Sequence, residues 1–160
     1  MRVLGIDPGV ARLGYGVLET KGNRIIASAH GCFETGKEVP HSERLASVHK
    51  FTRELLKKYQ PEAAAVEKLF FQSNAKTAIA VGEARGAVLL ALAESNIPLV
   101  ELTPLQVKMS VTGNGRADKR QVQKMVQILL KLEAMPKPDD AADALAIAIC
   151  GHRYATTPCH

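Results

Sequence analysis

The stretch VLGIDPGVARLGYG, residues 3–16, carries an apolar run straight into Asp7, followed at once by a Pro-Gly turn. Residues 3–7 read as a short strand buried on both faces, and such strands belong to the middle of an α/β sheet. A carboxylate at the end of that strand has two readings. Asp7 either shapes the turn, or it holds something beyond the strand end, a metal ion or a phosphate through a metal.

Working outward, residues 15–19 and 24–33 read as two more strands joined by the turn signal KGN. The short connections predict that these three pair as an antiparallel meander. Residues 42–59 are helical, with Leu45, Val48, Leu55, Leu56 and Tyr59 on one face, and Pro61 ends that helix. AAAVE, residues 63–67, reads as a fourth strand despite the poor strand propensity of alanine. Residues 75–94 form a long helix that is apolar nearly all round, so burial on more than one side is expected. Gly82 and Gly86 on it permit close approach of another backbone, within the domain or across a dimer interface.

PLVEL, residues 98–102, is a fifth strand, and Thr103 and Pro104 read as the cap and first residue of a short helix. Residues 112–118, TGNGRAD, form a glycine-rich loop. Residues 121–131 are amphipathic, PKP is a turn, and 140–150 form an alanine-rich helix suited to lying on a sheet. The order predicts an α/β fold with a mixed five-stranded sheet. The first three strands are antiparallel, and strands 4 and 5 run parallel to strand 1 through crossovers, with helices on both faces. Residues 1–150 are expected to be a single domain and 151–160 a frayed tail.

The chain of 160 residues carries a net charge of +5, and residues 103–137 account for all of it, with seven Lys/Arg against two acids. A one-sided basic segment suits a polyanion such as nucleic acid, or it is the solvated face of a surface helix. No apolar run is long enough to span a membrane, and the N-terminal residues enter a strand pattern with no signal-peptide pattern. Three cysteines without tight spacing are the usage of a reducing cytoplasm.

Asp7 and Glu67 end strands 1 and 4, and ligands of open α/β sheets bind beyond the carboxyl ends of parallel strands. Asp140 and Asp143 are three apart, on one face of the first turn of the last helix. Each acid alone has a bland reading, as turn former, cap or partner of the helix dipole. Asp139 is read as the cap itself. Four carboxylates at one spot repel, and a hard cation with oxygen ligands relieves that. Acids at strand ends beside a basic segment point to a metal-dependent nuclease, with two ions activating a water and stabilising the leaving oxygen of a phosphodiester.

With these residues in place, GIDPG followed by GYG, VEKLFFQSNAKTA, GEARG, QVKMSVTGNGRADKRQVQ and DDAADALAIAIC, in that order, resemble the RuvC family of bacterial Holliday-junction resolvases. That family lies within the ribonuclease H-like superfamily. The resemblance implies that fold, and it implies that Asp7, Glu67, Asp140 and Asp143 hold two Mg2+ ions, with Mn2+ able to substitute. It implies that Lys108 and Lys119 are needed for activity and that Phe70 stacks on a base near the crossover. It further implies a homodimer that nicks two strands of like polarity in four-way junction DNA, leaving 5′-phosphate and 3′-hydroxyl ends, in recombination and repair. The branch-migration proteins RuvA and RuvB are the implied partners.

Two adjacent aromatics, Phe70 and Phe71, follow Glu67 in a chain with few aromatics. They are core or a stacking wedge, and we expect one to pack inward and the other to stack, at ~1–3 kcal/mol per base. Arg116, Lys119, Arg120 and Lys124 are candidate DNA contacts around the amphipathic helix, whose N-terminus is itself a phosphate site. Cys150, His152, Cys159 and His160 match no common zinc spacing, Cys32 reads as a small buried residue, and His30, His41 and His49 have no partner visible in the sequence. One rival class is the actin and sugar-kinase fold, which surrounds a nucleotide with two domains where this chain has one. Another is a DNA-binding module without catalysis.

Overall fold

The computed structural model describes residues 1–22, 24–69 and 75–156. The elements run β1 (Arg2–Asp7), β2 (Arg12–Lys21), β3 (Arg24–Glu34), α1 (His41–Tyr59), β4 (Ala63–Glu67), α2 (Ala75–Glu94), β5 (Leu99–Leu102), α3 (Pro104–Thr112), α4 (Lys119–Leu129) and α5 (Asp139–Thr156). The sheet order is β3-β2-β1-β4-β5. β1 pairs antiparallel with β2, β2 antiparallel with β3, and β1–β4 and β4–β5 are parallel, as the strand and crossover pattern predicts.

Side chains alternate across the sheet. Leu4, Ile6, Leu13, Val17, Ala64 and Val66 pack against Val48, Leu55 and Leu56 of α1 and Val88 and Leu92 of α2. On the opposite face Leu18, Ala65 and Leu102 pack against α3, α4 and α5. By this period of two, Asp7 and Glu67 share the face of α5. No described helix is long and apolar enough to cross a membrane.

α5 lies close on the sheet because β1 and β2 carry glycine where it crosses them. A Cβ on Gly5 would overlap the backbone of Ala144 and Ala148, one on Gly14 would overlap the Asp140 carbonyl, and one on Gly16 would meet Leu145. From the helix side, a Cβ on Gly151 would overlap that of Ala65. Residues 144–151 of α5 are buried throughout.

Several boundaries differ from the sequence expectation. β2 starts at Arg12 rather than residue 15, and the glycines of LGYG within it make room for α5. α4 starts at Lys119, where Asp118 and Gln121 close a capping box. It ends at Leu129, and Lys131 beyond it takes a left-handed backbone.

The expected fraying beyond Gly151 does not hold for residues 152–156: α5 continues to Thr156. His152 bonds Thr20 at 2.8 Å, Arg153 donates to the Ser110 carbonyl, Gln106 donates to the Tyr154 hydroxyl at 3.0 Å, and Thr156 donates to the His152 carbonyl. Asp139 is the first residue of α5 rather than a cap outside it. α2 is buried along one side only. Ala84, Val88, Ala91 and Leu92 face the core, whereas Ile79 and Leu90 are 61% and 55% exposed and a Cβ on Gly86 would meet nothing.

Candidate active site

Ile6 pairs with Val66 in parallel register, so Asp7 and Glu67 follow side by side at the carboxyl end of the sheet. The first turn of α5 brings Asp140 and Asp143 over the same end, seated by the close contact at Gly14. Asp7, Glu67, Asp143, Lys108 and Lys119 line one cleft of about 260 Å3, walled by Pro104, Val107, Val122, Ala146 and Ile147. Asp140 stands at its rim with the Arg12 guanidinium at 3.9 Å, and Arg12 also pairs with Glu34 at 3.1 Å.

The electrostatics are those of crowded acids. Burial, then the charges of Asp143, Glu67 and Asp140, push the Asp7 carboxyl up to about 7, with Lys119 opposing. Glu67 is raised by burial and by Asp143, and Lys108 pulls it back. Asp143 is raised by burial against the pull of Lys119. The Lys119 ammonium lies 2.9 Å from Asp143 and 3.5 Å from Asp139. Burial lowers its pKa, but the hydrogen bond and charge of Asp143, with Asp139, outweigh that and raise it.

Among the described residues no three His, Cys, Asp or Glu side chains already close around a single point tightly enough to hold an ion. The donor chemistry nevertheless fits a hard divalent cation. All four candidate donors are carboxylates, and such a cation offsets both the burial and the mutual repulsion that lift Asp7.

The other candidate residues divide. Lys108 and Lys119 are in the cleft, but Arg120 and Lys124 line a separate groove with Asp118, Gln121, Gln127 and Met135, and Arg116 is exposed on the α3–α4 loop. Phe70 and Phe71 lie outside the described residues, as do Cys159 and His160. Cys150 bonds the Gln106 carbonyl and His152 bonds Thr20, so these two serve separate contacts. His41 and His49 find partners across α1 and α2 in Glu83 and Glu94, at 2.6 and 3.0 Å. Cys32 is half-buried rather than buried, it pairs with Gly14, which itself pairs with Asp7, and its thiol is raised by burial and then by Asp140 and Glu34.

Three residues at this end of the sheet were missed in the sequence. Arg12 and Asp139 carry no signal of their own role there. Arg85 does, as a cation set in an apolar helix: it donates to the Glu67 carbonyl at 3.1 Å and pairs with Glu101.

The sequence model of the family described as crossover junction endodeoxyribonuclease RuvC matches residues 3–152. A protein of that name from Thermosipho melanesiensis is 55% identical over 150 residues, covering 94% of this chain and 96% of the relative. One from Desulforamulus reducens is 52% identical over 157 residues, covering 98% and 96%. The structure of Thermus thermophilus RuvC in complex with Holliday junction substrate superposes with a TM-score of 0.90 at 40% identity, covering 97% of this chain and 94% of that one. The yeast mitochondrial Holliday junction resolvase Ydc2, 16% identical with a TM-score of 0.66, shares the fold. A match over nearly the whole chain, on a fold whose sheet and last helix bring four acids to one end, has one reading: the chain belongs to the RuvC family of crossover junction endodeoxyribonucleases.

Proposed function

We propose that this protein resolves four-way DNA junctions by paired, symmetric, metal-dependent nicks in strands of like polarity, leaving 5′-phosphate and 3′-hydroxyl ends. The setting is homologous recombination and repair in the bacterial cytoplasm, beside the branch-migration proteins RuvA and RuvB. The observation that carries this reading is the cleft in which Asp7, Glu67 and Asp143 meet Lys108 and Lys119, with Asp140 at the rim. A relative has been solved with Holliday junction substrate.

Residues 1–150 act in this reading as one nuclease domain. Asp7, Glu67, Asp140 and Asp143 hold two Mg2+ ions per subunit, or Mn2+ in their place. When bound, the ions supply a more acidic water and positive charge at the leaving oxygen. Lys119 neutralises Asp143 until substrate arrives, and then balances the charge that develops on the phosphate. Lys108 stands across the cleft beside Glu67 and receives a neighbouring phosphate oxygen. Arg116, Arg120 and Lys124, off the cleft, follow the duplex backbone away from the cut. Stacking at the crossover falls to Phe70 and Phe71. The homodimer forms through the open side of α2, where Ile79, Gly86 and Leu90 lie along one stripe.

A cleavage assay on a synthetic four-way junction and a matched linear duplex, each with Mg2+ and with chelator, tests the proposal. The expected result is paired nicks on the junction alone, lost with chelator and in Asp143→Asn, which still binds the junction. Nicking that survives chelator, or equal nicking of linear duplex, overturns it.

A further inference from the structure

Arg85 lies on α2, with its side chain only 16% exposed. Its Nε donates to the Glu67 carbonyl at 3.1 Å, and its Nη2 pairs with the Glu101 carboxylate. By strand alternation Glu101 faces α2, whereas the Glu67 side chain faces α5. Arg85 therefore grips the Glu67 peptide from the side of the sheet opposite the cleft. Asp143 and Lys108 act on the Glu67 carboxylate by charge, and so does Asp7, whose own carboxyl Glu67 raises in turn.

The peptide is held on its other side too, since the Lys68 N–H donates to the Leu102 carbonyl at 2.7 Å. One turn earlier on α2, a Cβ on Gly82 would come within 3.3 Å of Leu69. The helix thus touches the chain at Glu67 and again two residues on, where strand gives way to loop. A strand end held by a charged donor keeps its last side chain in one direction.

We propose that Arg85, anchored by Glu101, is a positioning residue for catalysis that aims the Glu67 carboxylate into the cleft by pinning its peptide from behind. The proposal rests on Glu67 being a metal-holding carboxylate. Loss of a group that orients a ligand typically costs about 10- to 100-fold in metal affinity or activity.

The test uses the full chain as wild type, Arg85→Met, Arg85→Lys, Glu101→Gln and Glu67→Gln. Junction affinity is measured in chelator, and single-turnover cleavage is followed across a Mg2+ titration, with thermal melts alongside. Arg85→Met is expected to bind the junction within about twofold of wild type, to cut about 10- to 100-fold more slowly, and to need about tenfold more Mg2+ for half-maximal rate. Arg85→Lys, which keeps a donor for the carbonyl, recovers part of both losses.

An unchanged Mg2+ midpoint, with a rate that falls only as the folded fraction falls, marks Arg85 as merely structural and overturns the proposal. If Arg85→Met does not fold, Glu101→Gln decides: it leaves Arg85 without its charged anchor, so its midpoint must rise, and an unchanged one is equally fatal. A wild type indifferent to chelator, or a fully active Glu67→Gln, overturns the reading of Glu67 beneath the proposal and the proposal with it.

Discussion

Asp7 costs the protein stability when no cation is near it. Its folded pKa of about 7 lies above the 3.8 of a free aspartate. Below about pH 4 both folded and unfolded chains keep the proton, and the group is neutral to folding. Between about pH 4 and 7 only the unfolded chain sheds it, so stability falls as pH rises, by up to ~4 kcal/mol once both are ionised. Asp7→Asn is therefore expected to raise the melting temperature of the metal-free protein at pH 8 by on the order of 10 °C. The gain shrinks towards pH 4, and melts at a series of pH values in chelator read it directly. Added Mg2+ is expected to stabilise the wild type more than the variant, which the same melts with the ion added measure. Lys119 bears the complementary charge: Lys119→Met is expected to lose about 100- to 1,000-fold in single-turnover cleavage, measured on a synthetic junction.

α5 brings the two acids that the sheet lacks, and its distance from the sheet is set by glycines. A methyl at Gly14 would overlap the Asp140 carbonyl, which is backbone and cannot rotate aside. Gly14→Ala is expected to cost about 1–3 kcal/mol in chemical denaturation. It should also slow cleavage by the fraction that stays folded, because Asp140 and Asp143 shift away from Asp7. The strand-end acids were legible in the sequence because period-two alternation and the crossover rule place Asp7 and Glu67 together without any side-chain detail. The spacing of Asp140 and Asp143 was legible for the same kind of reason. Element ends were not. The capping box at Asp118 and the packing of residues 152–156 depend on contacts with Thr20, Gln106 and Ser110, distant in the chain. Arg85 was visible as an odd charge in an apolar helix, but its partners Glu67 and Glu101 meet it only through the crossover.

At the scale of the molecule, α2 was read as buried on more than one side, and it is covered on one side only. Its composition records a surface that a second copy is proposed to cover, which one chain cannot reveal. Replacing both Ile79 and Leu90 by glutamate is expected to give a monomer in sedimentation with an unchanged far-ultraviolet spectrum. On a junction that monomer should nick one strand without its symmetric mate. The seam of glycines under α5 has a further consequence in time. Residues 139–156 leave the ribosome after all five strands, so a growing chain can form its sheet with Asp7 and Glu67 in place while two of the four acids do not yet exist. On the proposed reading that all four acids are needed, such a chain cannot yet cut, and the docking of one alanine-rich helix completes the site.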